Sequence, residues 1–212
     1  MNLPPESGTV FIVDDDASFL KSVTRLLRAS GCSVQAFESA EKFLEQLAPG
    51  MSGCVLADLQ MPGVNGLELQ AALAKSANPL PVVFLSAQGD IPTTVQAMRR
   101  GAEDFLTKLG PKEKLLDAVR RALVRGAQER GERVRFQELR GRFDALTPRE
   151  LEVLEHVVRG KLNKQIADDL GINMRTVKLH RTNLTRKLQV QSVAELTRLV
   201  EGAGLFKRGQ GE

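Results

Sequence analysis

The chain has 212 residues, of which 42% are hydrophobic and 26% are charged, with a net charge of +4 and neither Trp nor Tyr. This length favours two compact domains over one, and the lack of Trp and Tyr argues against an aromatic-lined pocket for a large flat ligand. Because the N-terminus is too polar for a signal peptide, the apolar runs are too short to cross a membrane, and Cys32 and Cys54 each lie in apolar surroundings, we expect a cytoplasmic protein without disulfides.

Charge is distributed unevenly along the chain. Residues 1–124 contain 12 basic and 14 acidic residues, residues 125–143 contain 6 and 3, and residues 144–212 contain 12 and 9. An acidic front and a basic rear favour nucleic-acid contact by the second half, although a solvated basic face would give the same pattern. We expect a first domain over 1–124, a charged, partly helical linker over 125–143, and a second domain over 144–212.

The first domain alternates short apolar runs with amphipathic stretches. The apolar runs predict five strand cores, at Thr9–Val13, Ser33–Phe37, Cys54–Ala57, Val82–Leu85 and Phe105–Leu106. The amphipathic stretches predict helices near 17–30, 39–47, 65–75 and 91–100, and from about 112. Repeated alternation predicts a doubly wound α/β fold, in which helices cover both faces of a five-stranded parallel sheet. Ligands of such sheets bind beyond the C-terminal ends of the strands.

Carboxylates follow two of these strands. Asp14, Asp15 and Asp16 come directly after the first strand, and Asp58 comes directly after the third. In the flavodoxin-like strand order the first and third strands are neighbours, so Asp14, Asp15 and Asp58 would converge. Such carboxylates repel one another unless they are protonated or bridged by a cation, and Mg²⁺ suits hard oxygen ligands. The alternative is that they cap the first helix, which we prefer for Asp16.

Two further polar residues end strands at the same edge of the sheet. Ser86 ends the fourth strand and Lys108 ends the fifth. A hydroxyl can donate to a phosphoryl oxygen, and an ammonium can pair with a phosphate as a point charge. Together with the carboxylates, these groups predict attack of a carboxylate on phosphorus, which forms an aspartyl phosphate while a metal ion neutralises charge.

The stretch 125–143 is rich in Arg and Glu and is interrupted by Gly126, Gly131 and Gly141. Because glycine disfavours a helix, we expect a partly helical linker here rather than one continuous helix. Its interleaved charges fit either a solvated helix or a dimeric coiled coil.

The second domain is predicted to be all helix. Thr147 begins a helix as its N-cap, with Glu150 completing a capping box. Asn163 is predicted to cap a short second helix, Asn173 a third that runs to about Leu188, and a fourth extends from Ser192 to roughly residue 203. A short helix, a turn with glycine and a longer basic helix is the helix-turn-helix arrangement.

The third of these helices, 174–188, is the candidate recognition helix. Its core side is predicted to consist of Val177, Leu184 and Leu188. The residues that point largely outward are Lys178, Arg181, Thr182 and Thr185. Such a helix suits the major groove of double-stranded DNA, although charge alone would favour a solvated basic helix. The cations that we assign to phosphate contacts are Lys164, Arg175, Arg186 and Lys187.

The first domain resembles the receiver domains of two-component response regulators. The resemblance spans about 9–124 and is carried by Val13-Asp14-Asp15-Asp16, Asp58-Leu59-Gln60-Met61-Pro62-Gly63, Ser86-Ala87, Gly101-Ala102 and Lys108; the segments Gly89-Asp90-Ile91-Pro92 and Gly101-Ala102-Glu103-Asp104-Phe105-Leu106 are similar to the FixJ branch.

The receiver resemblance implies a role for each matched residue. Asp58 would be the phosphoacceptor and, with Asp15 and the backbone carbonyl of Gln60, would bind Mg²⁺, with Asp14 assisting through water. It further implies that Lys108 holds the phosphate and that Ser86 and Phe105 form the switch pair.

Two positions depart from the family pattern. Leu109 follows Lys108 where family members usually have proline, often after a cis peptide. A cis bond before a non-proline residue costs roughly 2.5–4 kcal/mol, so we expect a trans peptide and a reshaped 108–111 loop. Ser86 replaces the commoner threonine. Phe105 has no hydroxyl group that could anchor its ring in an outward-facing position.

The second domain resembles the LuxR-type domain of FixJ/NarL regulators over about 146–203. The motifs that carry this resemblance are Leu146-Thr147-Pro148-Arg149-Glu150, Gly160, Asn163-Lys164-Gln165-Ile166-Ala167, Leu170-Gly171-Ile172 and Arg175-Thr176-Val177-Lys178. By position, Lys178, Leu179 and Thr182 would meet bases, and Thr176 and Arg181 belong to the same DNA-binding set. The helix from Ser192 would supply a dimer contact. His180 fits either phosphate contact or a capping or packing role.

These resemblances imply a transcription factor rather than an enzyme, beyond self-catalysed phosphotransfer and autodephosphorylation. A sensor histidine kinase would phosphorylate Asp58, and the relay through Ser86 and Phe105 would reach the helix over 91–100. That helix face would then dimerise or release the DNA-binding domain, and the homodimer would bind promoter DNA, activating transcription with RNA polymerase. One alternative is a constitutive DNA-binding protein with a degenerate receiver, which the presence of Leu109 after Lys108 suggests. Another is an aspartate-dependent phosphatase with Asp14 as the nucleophile, which would leave the helix-turn-helix without a role. Direct sensing of a small molecule is disfavoured, because the acidic domain occupies the place of a sensory pocket.

Overall fold

The computed structural model describes residues 8–87 and 91–205, and the chain divides between Gly131 and Glu132 into two compact units. Gly89 and Asp90, which belong to one of the receiver motifs, lie outside the described residues. None of the helices in the described ranges is both long and apolar enough to cross a membrane.

The N-terminal unit is built on a parallel five-stranded sheet, as predicted. The strands are β1 (Thr9–Val13), β2 (Ser33–Phe37), β3 (Gly53–Asp58), β4 (Val82–Ser86) and β5 (Asp104–Thr107), in the order β2-β1-β3-β4-β5. Each predicted strand core lies inside an observed strand. In the register of β1 with β3, Val13 is opposite Ala57, so the chain leaves β1 beside the residue that ends β3, Asp58.

Helices cover both faces of this sheet. They are α1 (Ala17–Ala29), α2 (Ala40–Gln46), α3 (Gly66–Lys75), α4 (Ile91–Arg99) and the start of α5 (Lys112–Asp144). Every residue of β3 and β4 is buried, which explains their nearly continuous apolar sequences. One core cluster packs α1 and α5 on one face, and a second packs α2 and α3 on the other. This rigid centre fixes the strand ends at which the polar residues lie.

Local capping sets where α1 and α3 begin. Asp16 is the N-cap of α1, as predicted, and its carboxylate accepts hydrogen bonds from the backbone N–H groups of Ser18 and Phe19. Asn65 caps α3 in a capping box with Glu68. Both caps lie at the C-terminal edge of the sheet and fix how the chain leaves it.

The helix α5 differs from the sequence expectation, because it is continuous from Lys112 to Asp144 through all three glycines. The reason at Gly126 is a close approach: an added Cβ would lie 2.6 Å from the carbonyl oxygen of Gly53 and 3.3 Å from the Pro81 ring. A Cβ at Gly131 or Gly141 would meet nothing within 4 Å. Glycine there lowers helix propensity by about 1 kcal/mol, which the rest of the helix tolerates.

The C-terminal unit is all helix in its described residues. After the end of α5 come α6 (Pro148–Val158), α7 (Asn163–Leu170), α8 (Met174–Leu188) and α9 (Val193–Ala203). Their apolar faces form one core, which includes Phe143, Leu154, Ile166, Leu184 and Leu196.

The caps of these helices follow the sequence with one correction. Thr147 caps α6 in a capping box with Glu150, and Asn173 caps α8, as predicted. The prediction that Asn163 caps α7 is wrong, because the N-cap is Leu162, whose N–H donates to the Gln165 side chain. The Asn163 side chain is used elsewhere, as an acceptor for a cation of α8.

Candidate functional site

Three carboxylates meet beyond the C-terminal ends of β1 and β3. Asp14, Asp15 and Asp58 each offer a carboxylate oxygen, and these oxygens lie within 4.8 Å of one another. Asp14 and Asp58 are buried, with 1% and 7% of their surfaces exposed, whereas Asp15 is exposed. The backbone holds Asp14 firmly, because its N–H donates to the Phe37 carbonyl and its Oδ1 accepts from the Asp16 N–H. The strand order therefore brings the predicted acidic residues together.

Lys108 joins this cluster from the end of β5. Its Nζ lies 2.7 Å from Asp14 Oδ2 and 2.8 Å from Asp58 Oδ2, and it sits 4.6 Å from the centre of the Phe19 ring. Burial of Lys108 disfavours its charge, but the close contacts with the Asp14 and Asp58 carboxylates outweigh burial and raise its pKa. Burial raises the pKa of Asp14, against the effect of Lys108. The contact with Phe19 was missed by sequence reasoning, since no periodic pattern signals it.

The loop after Lys108 reaches this geometry without the usual proline. The described residues contain no cis peptide bond, in agreement with the trans peptide expected before Leu109. The Lys108 N–H donates to the Ser86 carbonyl, and the Gly110 N–H closes a turn on Thr107. Leu109 itself is 95% exposed. The leucine thus points away from the cluster, and the lysine still extends into it.

The acidic cluster fits a magnesium ion. Asp14 Oδ2 is fully buried and, although it pairs with Lys108 in charge, it accepts no well-aligned hydrogen bond. Three carboxylates face a single ammonium, and all their donor atoms are the hard oxygens that Mg²⁺ prefers. Gln60 lies two residues after Asp58 and is exposed, and its N–H donates to Asp58 Oδ1 at 3.4 Å. Asp14, Asp15, Asp58 and the Gln60 carbonyl are the groups that would hold the ion.

Ser86 and Phe105 lie on the neighbouring strands β4 and β5. Ser86 is buried and is opposite Thr107 in the strand register, whereas Phe105 is opposite Phe84. The rings of Phe84 and Phe105 lie 6.1 Å apart at an interplanar angle of 42°. Phe105 is half-buried and packs against the core. The predicted switch pair is therefore separated by two positions of the register, with Phe84 next to the aromatic ring.

The helix α8 presents the predicted DNA-binding face of the C-terminal unit. Val177, Leu184 and Leu188 are buried, as predicted for its core side. The exposed members of the predicted set are Lys164, Arg175, Lys178, Leu179, Thr182 and Arg186. Leu179 is 58% exposed, which is unusual for a large apolar side chain unless a partner covers it. Lysine, threonine and an apolar group together match what base edges offer in the major groove.

Three members of the predicted DNA-binding set have partners in another helix or in the cap of α8, whereas Thr182 and Arg186 bond within α8. Arg181 donates from a guanidinium nitrogen to Asn163 Oδ1 at 2.7 Å, and Lys187 Nζ lies 2.7 Å from Glu150 Oε2. Thr176 is half-buried and bonds to the capping residue Asn173. These contacts tie α8 to α6, to α7 and to its own cap. These contacts could not be predicted from the sequence pattern, because two of them join side chains on different helices.

Two family models match this chain. The response regulator receiver domain matches residues 10–120, and the luxR family of bacterial regulatory proteins matches residues 144–200. The response regulator protein TodT of Pseudomonas putida is 40% identical over 200 residues, covering 94% of this chain and 88% of the relative. The transcriptional regulatory protein FixJ of Azorhizobium caulinodans is 39% identical over 201 residues, covering 95% of each.

Solved structures of response regulators are also similar to this chain. The response regulator StyR superposes with a TM-score of 0.80 at 46% identity, covering 91% of this chain and 98% of the other. Full-length FixJ from B. japonicum superposes with a TM-score of 0.55 at 35% identity, covering 94% and 98%. The receiver and helix-turn-helix resemblances therefore extend over nearly the whole chain.

Proposed function

Because this chain belongs to the FixJ/NarL family of two-component response regulators, and is thus a transcriptional regulator with a receiver and a LuxR-type DNA-binding domain, we propose that phosphorylation of Asp58 controls its binding to promoter DNA. The observation that carries the proposal is the cluster of Asp14, Asp15 and Asp58 with Lys108 bridging two of the carboxylates. A sensor histidine kinase is the expected phosphoryl donor.

The chemistry assigned to the cluster is phosphoryl transfer to a carboxylate. A carboxylate oxygen of Asp58 forms a bond to phosphorus as the bond from phosphorus to the donor imidazole breaks. Lys108 exchanges one carboxylate partner for a phosphoryl oxygen, which its three N–H donors allow. Asp14, Asp15, Asp58 and the Gln60 carbonyl would hold Mg²⁺, which supplies neutralisation of the crowded negative charge.

The DNA-binding step is assigned to α8 of the C-terminal unit. Lys178, Leu179 and Thr182 are the residues proposed to meet bases, because they are exposed on one helix surface. Lys164, Arg175 and Arg186 are proposed to contact phosphates. The residues that retain a DNA role in addition to their contacts within the fold are Thr176, Arg181 and Lys187.

The signal is proposed to leave the receiver through α4. Ile91, Val95 and Met98 recur at helical spacing on this helix, and they are 80%, 42% and 43% exposed. An apolar stripe left open to water favours association of two copies, with Ser86 and Phe105 relaying phosphorylation to it. The resulting homodimer would bind two related DNA half-sites at a fixed spacing and act with RNA polymerase in the cytoplasm, activating transcription.

The test is DNA affinity with and without beryllofluoride, a phosphoryl mimic, in the wild-type chain and in Asp58→Asn. We expect beryllofluoride to tighten binding by the wild type and to leave Asp58→Asn unchanged. Asp16→Asn is the matched control, because it removes a neighbouring carboxylate that caps α1 instead of facing the cluster. Equal affinity in all these states would refute phosphorylation-gated binding.

Labelling with acetyl phosphate separates the proposal from a constitutive DNA-binding protein with a degenerate receiver. We expect Mg²⁺-dependent incorporation of one phosphoryl group in the wild type and none in Asp58→Asn. A chain that binds DNA but takes up no phosphate with Mg²⁺ present would establish the constitutive alternative.

A further inference from the structure

We propose that Glu41 is a positioning residue for the phosphoacceptor site, acting through the loop that carries Gln60. Glu41 lies in the first turn of α2, outside the acidic cluster and outside every motif that the sequence singled out. The inference rests on the proposed function, because it concerns how well the cluster holds Mg²⁺ and accepts phosphate.

The contact is a direct hydrogen bond between two distant parts of the chain. Glu41 Oε1 accepts from the backbone N–H of Val64 at 2.7 Å, across 23 residues of sequence. Hydrogen bonds to an ionised carboxylate are shorter and stronger than neutral ones. The Val64 N–H, with smaller contributions from the Glu41 N–H and the Ser39 hydroxyl, lowers the pKa of Glu41, so the carboxylate is ionised at neutral pH.

Gly63 lies next to the same oxygen of Glu41. Its φ is +74°, in the region that favours glycine, and an added Cβ would overlap Glu41 Oε1. The positive φ alone favours glycine at position 63, and the Glu41 carboxylate occupies the space beside it while bonding to the N–H of the next residue, Val64.

The loop from Leu59 to Asn65 connects the phosphoacceptor to α3. At its start the Leu59 N–H donates to the Leu85 carbonyl, and at its end the Gly66 N–H returns to the Leu59 carbonyl. Glu41 adds an attachment from α2, between these two points in sequence. The loop is thus held to β4, to itself and to α2.

This attachment matters for the metal because Gln60 lies within the same loop. The Gln60 carbonyl is the proposed backbone ligand, and its distance from the Asp58 carboxylate depends on how the loop is held. Partners that orient metal ligands without touching the ion typically contribute 10–100-fold to metal affinity. Because Glu41 bonds to the loop at Val64 and not to Gln60 itself, we expect Glu41→Ala to weaken Mg²⁺ binding by at most about tenfold, the lower end of that range, and to slow acetyl phosphate labelling at limiting Mg²⁺, with Asp58 and Lys108 unchanged.

The experiment compares four variants of the full chain by Mg²⁺ titration calorimetry and by labelling rate as a function of Mg²⁺ concentration. Glu41→Ala removes the acceptor, Glu41→Gln keeps an acceptor oxygen without the charge, and Glu41→Asp keeps the charge but draws the acceptor oxygen back from the Val64 N–H. Glu45→Ala is the matched control, because it removes an exposed carboxylate from the same helix. We expect Glu41→Ala and Glu41→Asp to weaken Mg²⁺ binding together, Glu41→Gln to weaken it less because a neutral hydrogen bond remains, and Glu45→Ala to stay close to wild type.

Each outcome decides the inference. Equal weakening by Glu41→Gln and Glu41→Ala would overturn it in favour of simple charge attraction, and wild-type behaviour of Glu41→Ala would overturn it outright. If Glu41→Ala does not fold, Glu41→Asp decides in its place, because wild-type Mg²⁺ binding by that variant would equally overturn the inference. A wild-type chain that binds no Mg²⁺ and takes up no phosphate would instead remove the proposed function, and this inference with it.

Discussion

At the scale of single residues, each unit contains a carboxylate that burial alone would make unfavourable. In the receiver, Asp14 is paired with Lys108. In the C-terminal unit, Glu150 is 3% exposed and is held by Lys187 and by the Thr147 N–H. A buried charge that keeps its partners costs little, whereas removing one partner leaves the other uncompensated. Both lysines therefore have structural roles, whatever ligand each meets in addition.

Glu150 gives a prediction about stability and pH. Burial raises the pKa of Glu150, but its bonds with Lys187 and Thr147 outweigh burial and bring the pKa below the ordinary value of 4.5. The ionised carboxylate therefore stabilises the fold fully above about pH 4.5, and this contribution is lost as the pH falls through the lowered pKa. We expect Glu150→Gln to destabilise α6 and α8 at pH 7 by about 1 kcal/mol, the difference between a charged and a neutral hydrogen bond.

Amide hydrogen exchange of α6 and α8 in the full chain, corrected for intrinsic rates, measures this effect. Glu152→Gln is the control, because Glu152 pairs with Arg149 on the exposed side of the same helix, where ion pairs contribute little. Equal protection in the two variants at pH 7 would contradict the assignment.

The sequence predicted the residues at strand ends well. Asp14, Asp58 and Lys108 follow strands whose order and direction the apolar runs predict, and parallel strands bring such residues to one edge. The contacts of Glu41 with Val64 and of Arg181 with Asn163 were not predictable in this way. Each joins a helix to a distant loop or helix through one side chain, and no local periodicity encodes such a pairing.

At the scale of elements, α5 shows why composition alone gave the wrong expectation. Three glycines predicted a broken linker, yet the helix runs from Lys112 to Asp144. Only packing distinguishes the glycines: Gly126 lies against the Gly53 carbonyl, whereas nothing lies near the missing Cβ of Gly131. The sequence shows the same letter at both positions.

The two glycines should respond oppositely to alanine. We expect Gly131→Ala to stabilise the chain by about 0.5–1 kcal/mol, because alanine is the better helix former and the position is open. We expect Gly126→Ala to destabilise it by about 1–3 kcal/mol, because backbone atoms of Gly53 cannot move aside as a flexible side chain would.

Urea unfolding followed by circular dichroism measures both variants, with Gly141→Ala as a second open position. A shift of Gly126→Ala in the same direction as Gly131→Ala would show that the approach to Gly53 is not tight.

At the scale of the whole molecule, positive charge is concentrated after residue 124. Residues 125–212 carry a net charge of +6, whereas residues 1–124 carry −2. Neutralisation of DNA phosphates releases counterions, so affinity falls with salt in proportion to the number of contacts. The salt dependence should therefore originate in the C-terminal part of the chain.

Arg175 tests this expectation, because it is exposed at the start of α8. We expect Arg175→Ala to reduce the slope of log affinity against log salt by about 0.9 for the loss of one phosphate contact, with sequence preference unchanged. Arg120→Ala, which removes a partly exposed arginine paired with Asp117 in the N-terminal unit, should leave the slope unchanged. Identical slopes for the two variants would place Arg175 outside the DNA interface.

The approach of Gly126 to Gly53 also limits how this protein can evolve. Gly53 has a φ of +143°, and a Cβ on it would overlap the Thr9 carbonyl, so it cannot change to make room or to fill space. A side chain introduced at Gly126 would clash with backbone atoms of Gly53. A compensating mutation usually relieves such a clash by making the neighbouring side chain smaller. Because glycine has no side chain to lose, no second substitution at Gly53 can rescue the first. We expect lineages of this protein to restore such a change by reversion, and the two positions to stay fixed together without covarying.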